Sequence, residues 1–343
     1  MWQCYNQEEM EDMNMKKETI SKIVKASGVA AGELILVQFW GEDSDKQIAN
    51  DFIAAVAALG GSPVLLQQSR TINRDIFASA NESSFGENYF DFFSSFDAVL
   101  DIFAYQPAIL GYELEQEKFD LYRRYIGQLF SKLVQSKRFT QIRIPTTANA
   151  EESGLEPEDF KRRMNNAYDI NYDELSLACK KEIERFAGVH KVSLRTGSNC
   201  VLNFELEDRN WHIDAGDGDL PCGEIYIAVI EDKTQGSVFF DTLYLENGMY
   251  HQVVLQVEEG KVCGSNLQEV AQFFKEMPEE NRVVCELGFG MNPNVTELCG
   301  YTVLDEKMAN TFHIAVGANH MFGGANKASD HIDFVGIGTC EFN

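Results

Sequence analysis

The sequence predicts an α/β chain in two parts. Residues 1–188 read as an N-terminal α/β domain with a parallel sheet, and residues 189–343 as a β-rich α+β domain that holds metal. Three observations carry this. Helical and strand periods alternate through the first half, short strand-like runs broken by turn residues fill the second, and acids and histidines gather in apolar surroundings in the last third. At 343 residues and 44% apolar content the chain is long enough for two cores.

The elements follow in order. A helix is expected at about 16–28, then ELILVQFW, a continuous apolar run of the kind buried on both faces of a parallel sheet. Asp43 and Ser44 offer an N-cap for DKQIANDFIAAVAAL, whose apolar residues recur at helical spacing, and Gly60-Gly61 stops it. SPVLLQ, FDAVLDIFA and FTQIRIP read as three more strands, with a long helix from about Glu113 to Gln135 before the last. Helices at 157–168 and 172–187 close this half. Beyond them lie the strand-like runs KVSLRT, NCVLNFEL, EIYIAVI, SVFFDTLYL and QVVLQVEEGKV, punctuated by the hairpin signals Asn247-Gly248 and Glu259-Gly260. One helix at about 266–276 precedes RVVCELGF, NTFHIAVG and HIDFVGI.

The formal charge is −25, unevenly spread: from residue 196 onward 24 Asp/Glu face 7 Lys/Arg, a net of −17. Such a surface repels phosphate backbones, so nucleic acid is not an expected partner; it concentrates cations, including the ammonium end of a peptide. The eight cysteines form no CxxC pair, and Cys200 and Cys285 read as buried small hydrophobes. The N-terminal stretch MWQCYNQEEMEDMNMKK lacks the apolar core of a signal peptide, and no apolar run reaches the length of a membrane span. A cytoplasmic protein without membrane partners is the expectation.

The chemistry concentrates late. Four of the six histidines, His251, His313, His320 and His331, lie in the final hundred residues. Glu224 sits between LPCG and IYIAV, and Glu286 between VVC and LGFG. A carboxylate buried in such a context costs several kcal/mol unless it is paired or protonated, of order 2–7 kcal/mol even for a neutral polar group. A metal ion resolves that cost. His331 and Asp333, two apart on a strand, share one face and deliver an imidazole and a carboxylate to one point. Glu224, Glu286, His313, His331 and Asp333 make five ligands, enough for two ions sharing carboxylates; the oxygen and nitrogen donors suit Zn²⁺, Mn²⁺, Co²⁺ or Fe²⁺. DAGDGD fits no calcium-loop register and reads as a plain loop; GFG and GIG complete no dinucleotide fingerprint; GxSxG, HExxH and P-loop motifs are absent. Asp305 and Glu306 read either as an acid pair at a helix start or as groups orienting an imidazole.

At these residues the chain resembles the aminopeptidase T family of metallopeptidases, also called thermophilic metalloprotease-type exopeptidases. LPCGEIYIAVIEDKTQGSV, ENG, CELGFGMNPN, LDEKMANTFHIAVGANHMFGG and HIDF stand in family order. The resemblance implies a two-domain, homodimeric enzyme that removes single residues from the N-termini of short peptides at a dinuclear centre. Carried over, the ligands of its two divalent ions (Zn, Co or Mn) are Glu224, Glu286, His313, His331 and Asp333. Where well-studied members carry a tyrosine seven residues after the first histidine, this chain has His320, which enters as the candidate catalytic residue, a ligand or a proton shuttle. Ring-cleaving dioxygenases acting on dihydroxypyridines, with Fe²⁺ on two histidines and an aspartate, are similar too, but they carry histidine where this chain has Glu286. Both glutamates are present here, which favours the peptidase. A silent binding or assembly protein on the same fold is the third reading.

Overall fold

The computed structural model describes residues 15–107 and 114–342. The N-terminal stretch read above as lacking a leader, with its Cys4, falls up to residue 14 outside the described residues, as does the expected start of the long helix at Glu113. The chain divides into two compact units: one of residues up to Tyr172 plus Gly216–Pro221, the other of Asp173–Ala215 and Cys222 onward. The division falls ahead of the expected boundary at 188 because the helix Tyr172–Glu184 and its sequel pack into the second unit. Cys179 Sγ lies 3.9 Å from the Glu224 carbonyl, and Phe186 stacks on Trp211 and Phe289 at centroid distances of 4.3 and 5.5 Å.

The first unit is built on a parallel sheet of β1 (Leu34–Trp40), β2 (Ser62–Gln67), β3 (Ala98–Phe103) and β4 (Arg138–Arg143), in the order β2-β1-β3-β4, with the short β8 (Asp219–Leu220) beside β4. β1 and β3 are central and buried on both faces, which is why they read as unbroken apolar runs; β2, at the edge, is only half-buried. The helices Lys17–Ala26, Lys46–Ala58, Gln116–Leu133 and Pro157–Tyr168 answer the helical periods in the sequence. Asp43 and Ser44 do not cap the second of these. They lie in a 3₁₀ turn, Asp43–Asp45, and the N-cap position falls to Asp45, which makes no side-chain capping bond. Gly60, at φ +85°, ends the helix as expected. Three helices carried no readable period: Arg70–Ser79, Glu87–Phe93 and Thr147–Glu152. The last two, at seven and six residues, are too short to establish one, and what fixes the first two is tertiary. Phe77, Phe90 and Phe93 join Tyr122 and Tyr125 in an aromatic cluster, and Ser69 caps the first by accepting from the Ile72 N–H at 3.1 Å.

The second unit holds two sheets. One is six-stranded, in the order β12-β11-β10-β6-β5-β16, from β5 (Lys191–Thr196), β6 (Cys200–Glu205), β10 (Gln235–Leu245), β11 (Gly248–Glu258), β12 (Lys261–Ser265) and β16 (Gly338–Phe342). The other runs β15-β14-β13-β9-β7, from β7 (His212–Asp214), β9 (Glu224–Ala228), β13 (Val284–Gly290), β14 (Phe312–Gly317) and β15 (His331–Gly336), every neighbour antiparallel. Phe240 from β10 meets Phe312 of β14 and Phe334 of β15 at 5.7 and 6.4 Å, and Phe274 from the helix Gln268–Glu276 closes on Phe334 at 5.8 Å. The pleat therefore turns Phe312, Ile314, Val316 and Phe334 into the core and leaves their alternates on the opposite face. Cys285 is buried as expected, whereas Cys200 opens β6 and is half-buried. The described cysteines are all free thiols. Among the described residues no helix is long and apolar enough to cross a membrane.

Candidate metal centre

The open face of the five-stranded sheet carries all five expected ligands. Register fixes this: Glu224 on β9 stands opposite Asp214 on β7 and Gly290 on β13. His212, Tyr226, Gly288 and His313 form the next row across four strands, and Ala228, Glu286, Ala315 and Asp333 the one after. His331 faces Gly317 at the end of the sheet. The floor is made of small residues, and the acids and imidazoles rise around it. Gly288 is obligatory here, since a Cβ at that position would lie 1.9 Å from His313 Nε2. The GFG of the sequence is thus a floor under an imidazole, within β13.

Distances bring the groups to one point. His313 Nε2 lies 3.2 Å from Glu286 Oε1 and 3.5 Å from Glu224 Oε2; His331 Nε2 lies 3.5 Å from Glu286 Oε2 and 3.6 Å from Asp333 Oδ2. One donor atom each from Glu286, His313 and Asp333 fall within 4.8 Å of one another. The His331 Nδ1–H donates to the Ala318 carbonyl at 2.7 Å, which fixes the tautomer and leaves Nε2 pointing at the carboxylates. Its backbone lies on the outer strand, yet the imidazole is only 27% exposed.

The donor set fits divalent cations. A histidine buried purely for packing satisfies its ring nitrogens on backbone; His313, fully buried, leaves Nδ1 without a hydrogen bond among the described residues and aims Nε2 between two carboxylates. Among the described residues Glu286 meets two imidazoles and no ammonium or guanidinium. Left to itself, the cluster holds its protons on the rings: burial works against charge on both, but Glu286, Glu224 and Asp333 keep His313 at about 9, and Asp333, Cys285 and Glu286 hold His331 above its ordinary range. Burial pushes Glu224 up to about 7 against the pull of Lys307 and His313, while Asp333, though buried, is held low by His331. Ligation of a cation requires those ring protons to leave.

Four groups of this face escaped the sequence. Lys307 is completely buried, with Nζ 2.5 Å from Glu224 Oε1, 2.7 Å from Glu306 Oε1 and 3.8 Å from Asp214 Oδ2. Asp214 belongs to the DAGDGD stretch read as a plain loop; the structure puts it at the end of β7, inside the charged group. His212 and Tyr226 stack at 5.1 Å, and both rings meet the edge of Phe322. Burial, then the charges of Glu224, Glu286 and Asp214, push the Tyr226 phenol up. The signal was available in part: Tyr226 and Glu224 are two apart in one strand, so they share a face. Glu306 sits at the centre through Lys307, with burial raising it to about 8. Asp305 accepts from the Cys299 and Gly300 N–H groups at 2.9 and 2.7 Å and shapes the chain there.

His320 stands apart from this group. It is exposed, and its Nδ1 and backbone N–H both face the Asn326 carbonyl, at 3.2 and 3.3 Å. The loop that bears it is tied down by Asn319, which donates to Glu231 Oε1 and the Cys285 carbonyl at 2.9 and 3.0 Å and accepts from the Asn326 N–H at 2.9 Å.

Comparison with known proteins bears on this arrangement. A family model described as Thermophilic metalloprotease (M29) matches residues 23–337. Among solved structures the chain is similar to wild-type AmpT from Thermus thermophilus, at 15% identity and a TM-score of 0.67, with 95% of this chain and 97% of that chain covered. It is also similar to the 2,5-dihydroxypyridine dioxygenase from Pseudomonas putida KT2440, at 14% identity and a TM-score of 0.62, with 95% and 92% covered. At these identities the likeness is one of fold. No curated protein matches the chain by sequence.

Proposed function

The chain belongs to the Thermophilic metalloprotease (M29) family, and from that premise we propose a metal-dependent aminopeptidase that removes the first residue of short peptides at a dinuclear centre. The observation that carries the reading is the convergence of Glu224, Glu286, His313, His331 and Asp333 on one sheet face. These five would hold the ions, with Zn, Co or Mn suited to the donors. Charge supports two ions rather than one. Five carboxylates, Asp214, Glu224, Glu286, Glu306 and Asp333, share the site with one ammonium, Lys307. With both imidazoles neutral and all five carboxylates ionised, as bound cations would favour against the upward push of burial on Glu224 and Glu306, the deficit is four charges, which two divalent cations would neutralise.

Bound there, divalent ions would lower the pKa of a water toward neutrality and polarise the scissile carbonyl. The protein's part is positional. Lys307 holds the Glu224 carboxylate by one oxygen and leaves Oε2 toward His313, and the Ala318 carbonyl keeps His331 Nε2 turned inward. In this reading a carboxylate of the cluster takes and returns the proton, and His320, exposed on its loop, has no part. The acidic surface favours a substrate entering by its ammonium end. A homodimer accords with the family resemblance.

The test uses metal-reconstituted full-length protein and short peptides with a free or an acetylated amine. Release of free amino acids from the first and none from the second, without oxygen uptake, is the expected result. Oxygen uptake on a dihydroxypyridine after Fe²⁺ loading would replace this reading with the dioxygenase. Inactivity on both would leave the silent protein.

A further inference from the structure

Among the groups of the site face that the ligand set does not use, Tyr226 is a phenol. Tyr226 lies two residues beyond Glu224 on β9, hence on the same face, and is paired in register with Gly288. His313 Nε2 rests directly over Gly288. The phenol ring therefore rises beside the imidazole of a ligand, one strand away. It is held on two sides: His212 stacks on it with an interplanar angle of 20°, and Phe322 meets it edge-on at 5.5 Å. That clamp is itself fixed, since His212 Nε2 lies 3.0 Å from the Phe322 carbonyl, and Phe322 also abuts the His331 ring at 5.8 Å. A ring wedged in this way has lost its rotamer freedom before any ligand arrives.

The hydroxyl, by contrast, makes no hydrogen bond to any of the described residues, and Tyr226 is only half-buried. A clamped ring whose O–H makes no hydrogen bond to a described residue, on the face that carries the carboxylates and imidazoles, is a preorganised donor for a group bound there.

Resting on the aminopeptidase reading, we propose that Tyr226 is a catalytic residue: its phenolic O–H donates a hydrogen bond to the carbonyl oxygen of the scissile amide as that oxygen gains charge. As water oxygen bonds to the carbonyl carbon, the π pair moves onto the carbonyl oxygen, where the phenol stabilises it without giving up its proton. When the C–O double bond re-forms, the C–N bond breaks and the amine leaves with the proton taken from water. The phenol ends as it began. A donor needed only at the tetrahedral stage acts on kcat and leaves substrate binding nearly untouched.

Tyr226→Phe keeps the ring, its stack on His212 and its contact with Phe322, and removes the O–H alone. In the metal-loaded full-length protein this variant should retain its metal content and thermal midpoint and show an unchanged KM. Its kcat should fall by roughly a hundredfold, the loss typical of deleting one oxyanion donor. A second measurement is binding of a phosphonate dipeptide, whose tetrahedral anion imitates that stage: the variant should bind it at least about tenfold more weakly. An unchanged kcat together with unchanged phosphonate affinity overturns the role of Tyr226 while leaving the aminopeptidase reading intact. A wild-type protein that cleaves no peptide yet binds the phosphonate through this hydroxyl overturns the peptidase reading and keeps Tyr226 as the anion donor. A loaded wild type that neither cleaves nor binds overturns both.

Discussion

Asp101 and Glu286 are both buried acids in the middle of strands, one in each unit, and their surroundings differ in kind. Asp101 on β3 accepts from Gln38 Nε2 at 2.7 Å and from the Trp40 indole at 2.8 Å. Neutral donors satisfy it, and burial raises it to about 6. Glu286 on β13 meets only the two imidazoles His313 and His331, on a face shared with three further acidic side chains. Burial depth is the same to within a few per cent, at 2% and 5% exposed. What separates a structural acid from a candidate ligand is therefore the company it keeps: donors that close a hydrogen-bond account in one case, groups that leave charge unbalanced in the other.

The comparison can be broken most directly at Glu286. Glu286→Gln should lose at least one bound ion per chain by metal analysis, and peptide turnover should fall by more than the 10–100-fold typical of residues merely supporting a ligand, roughly a thousandfold. Full metal occupancy in that variant would move Glu286 into the class of Asp101. Next in size is Lys307→Met, which strands Glu224 and Glu306 without their shared cation. About 3–5 kcal/mol of stability should be lost in denaturant titration, with weaker metal binding beside it.

Asp101 sharpens the other side. Between its unfolded value of about 4 and its folded value of about 6, the native state binds more proton than the unfolded chain, so this group stabilises the fold at low pH. That contribution disappears as pH rises through 6, a swing of roughly 3 kcal/mol. Other acids titrate too, so the measurement is the stability difference between wild type and Asp101→Asn at pH 4 and pH 7: wild type should gain relative to the variant on acidification. A difference independent of pH would mean that Asp101 is ionised in the native sheet. The smallest effect is expected at His320. His320→Ala should leave metal content and turnover unchanged, and a loss of a hundredfold with metal retained would return the imidazole to the reaction.

Much of this was legible in the residues themselves. β1 and β3 showed as apolar runs because both faces are buried, and Glu286 and Glu224 stood out because acids are rare between such runs. His331 and Asp333 read as a pair by strand alternation alone. The remainder depends on register. Nothing local says that β7 pairs with β9, so Asp214 looked like a loop residue and His212 drew no reading. Lys307 reaches the centre from a turn, between the short helix Thr302–Asp305 and β14. His320 became a candidate by standing where the resembled family carries a tyrosine; the loop turns after Gly317, at φ +110°, and carries its side chain to the surface.

The site sheet ends at β15, and that outer strand brings two of the five converging groups, His331 and Asp333; among the described residues its only ladder is the one to β14. Edge strands open more readily than central ones, because fewer bonds must break at once. Peeling β15 would withdraw one imidazole and one carboxylate together while Glu224, Glu286 and His313 stayed in place on inner strands. Dismantling this centre would thus be a local event, running in two steps of unequal cost, and the rate at which the pocket exchanges its contents would be set by the breathing of six residues rather than by the stability of the fold.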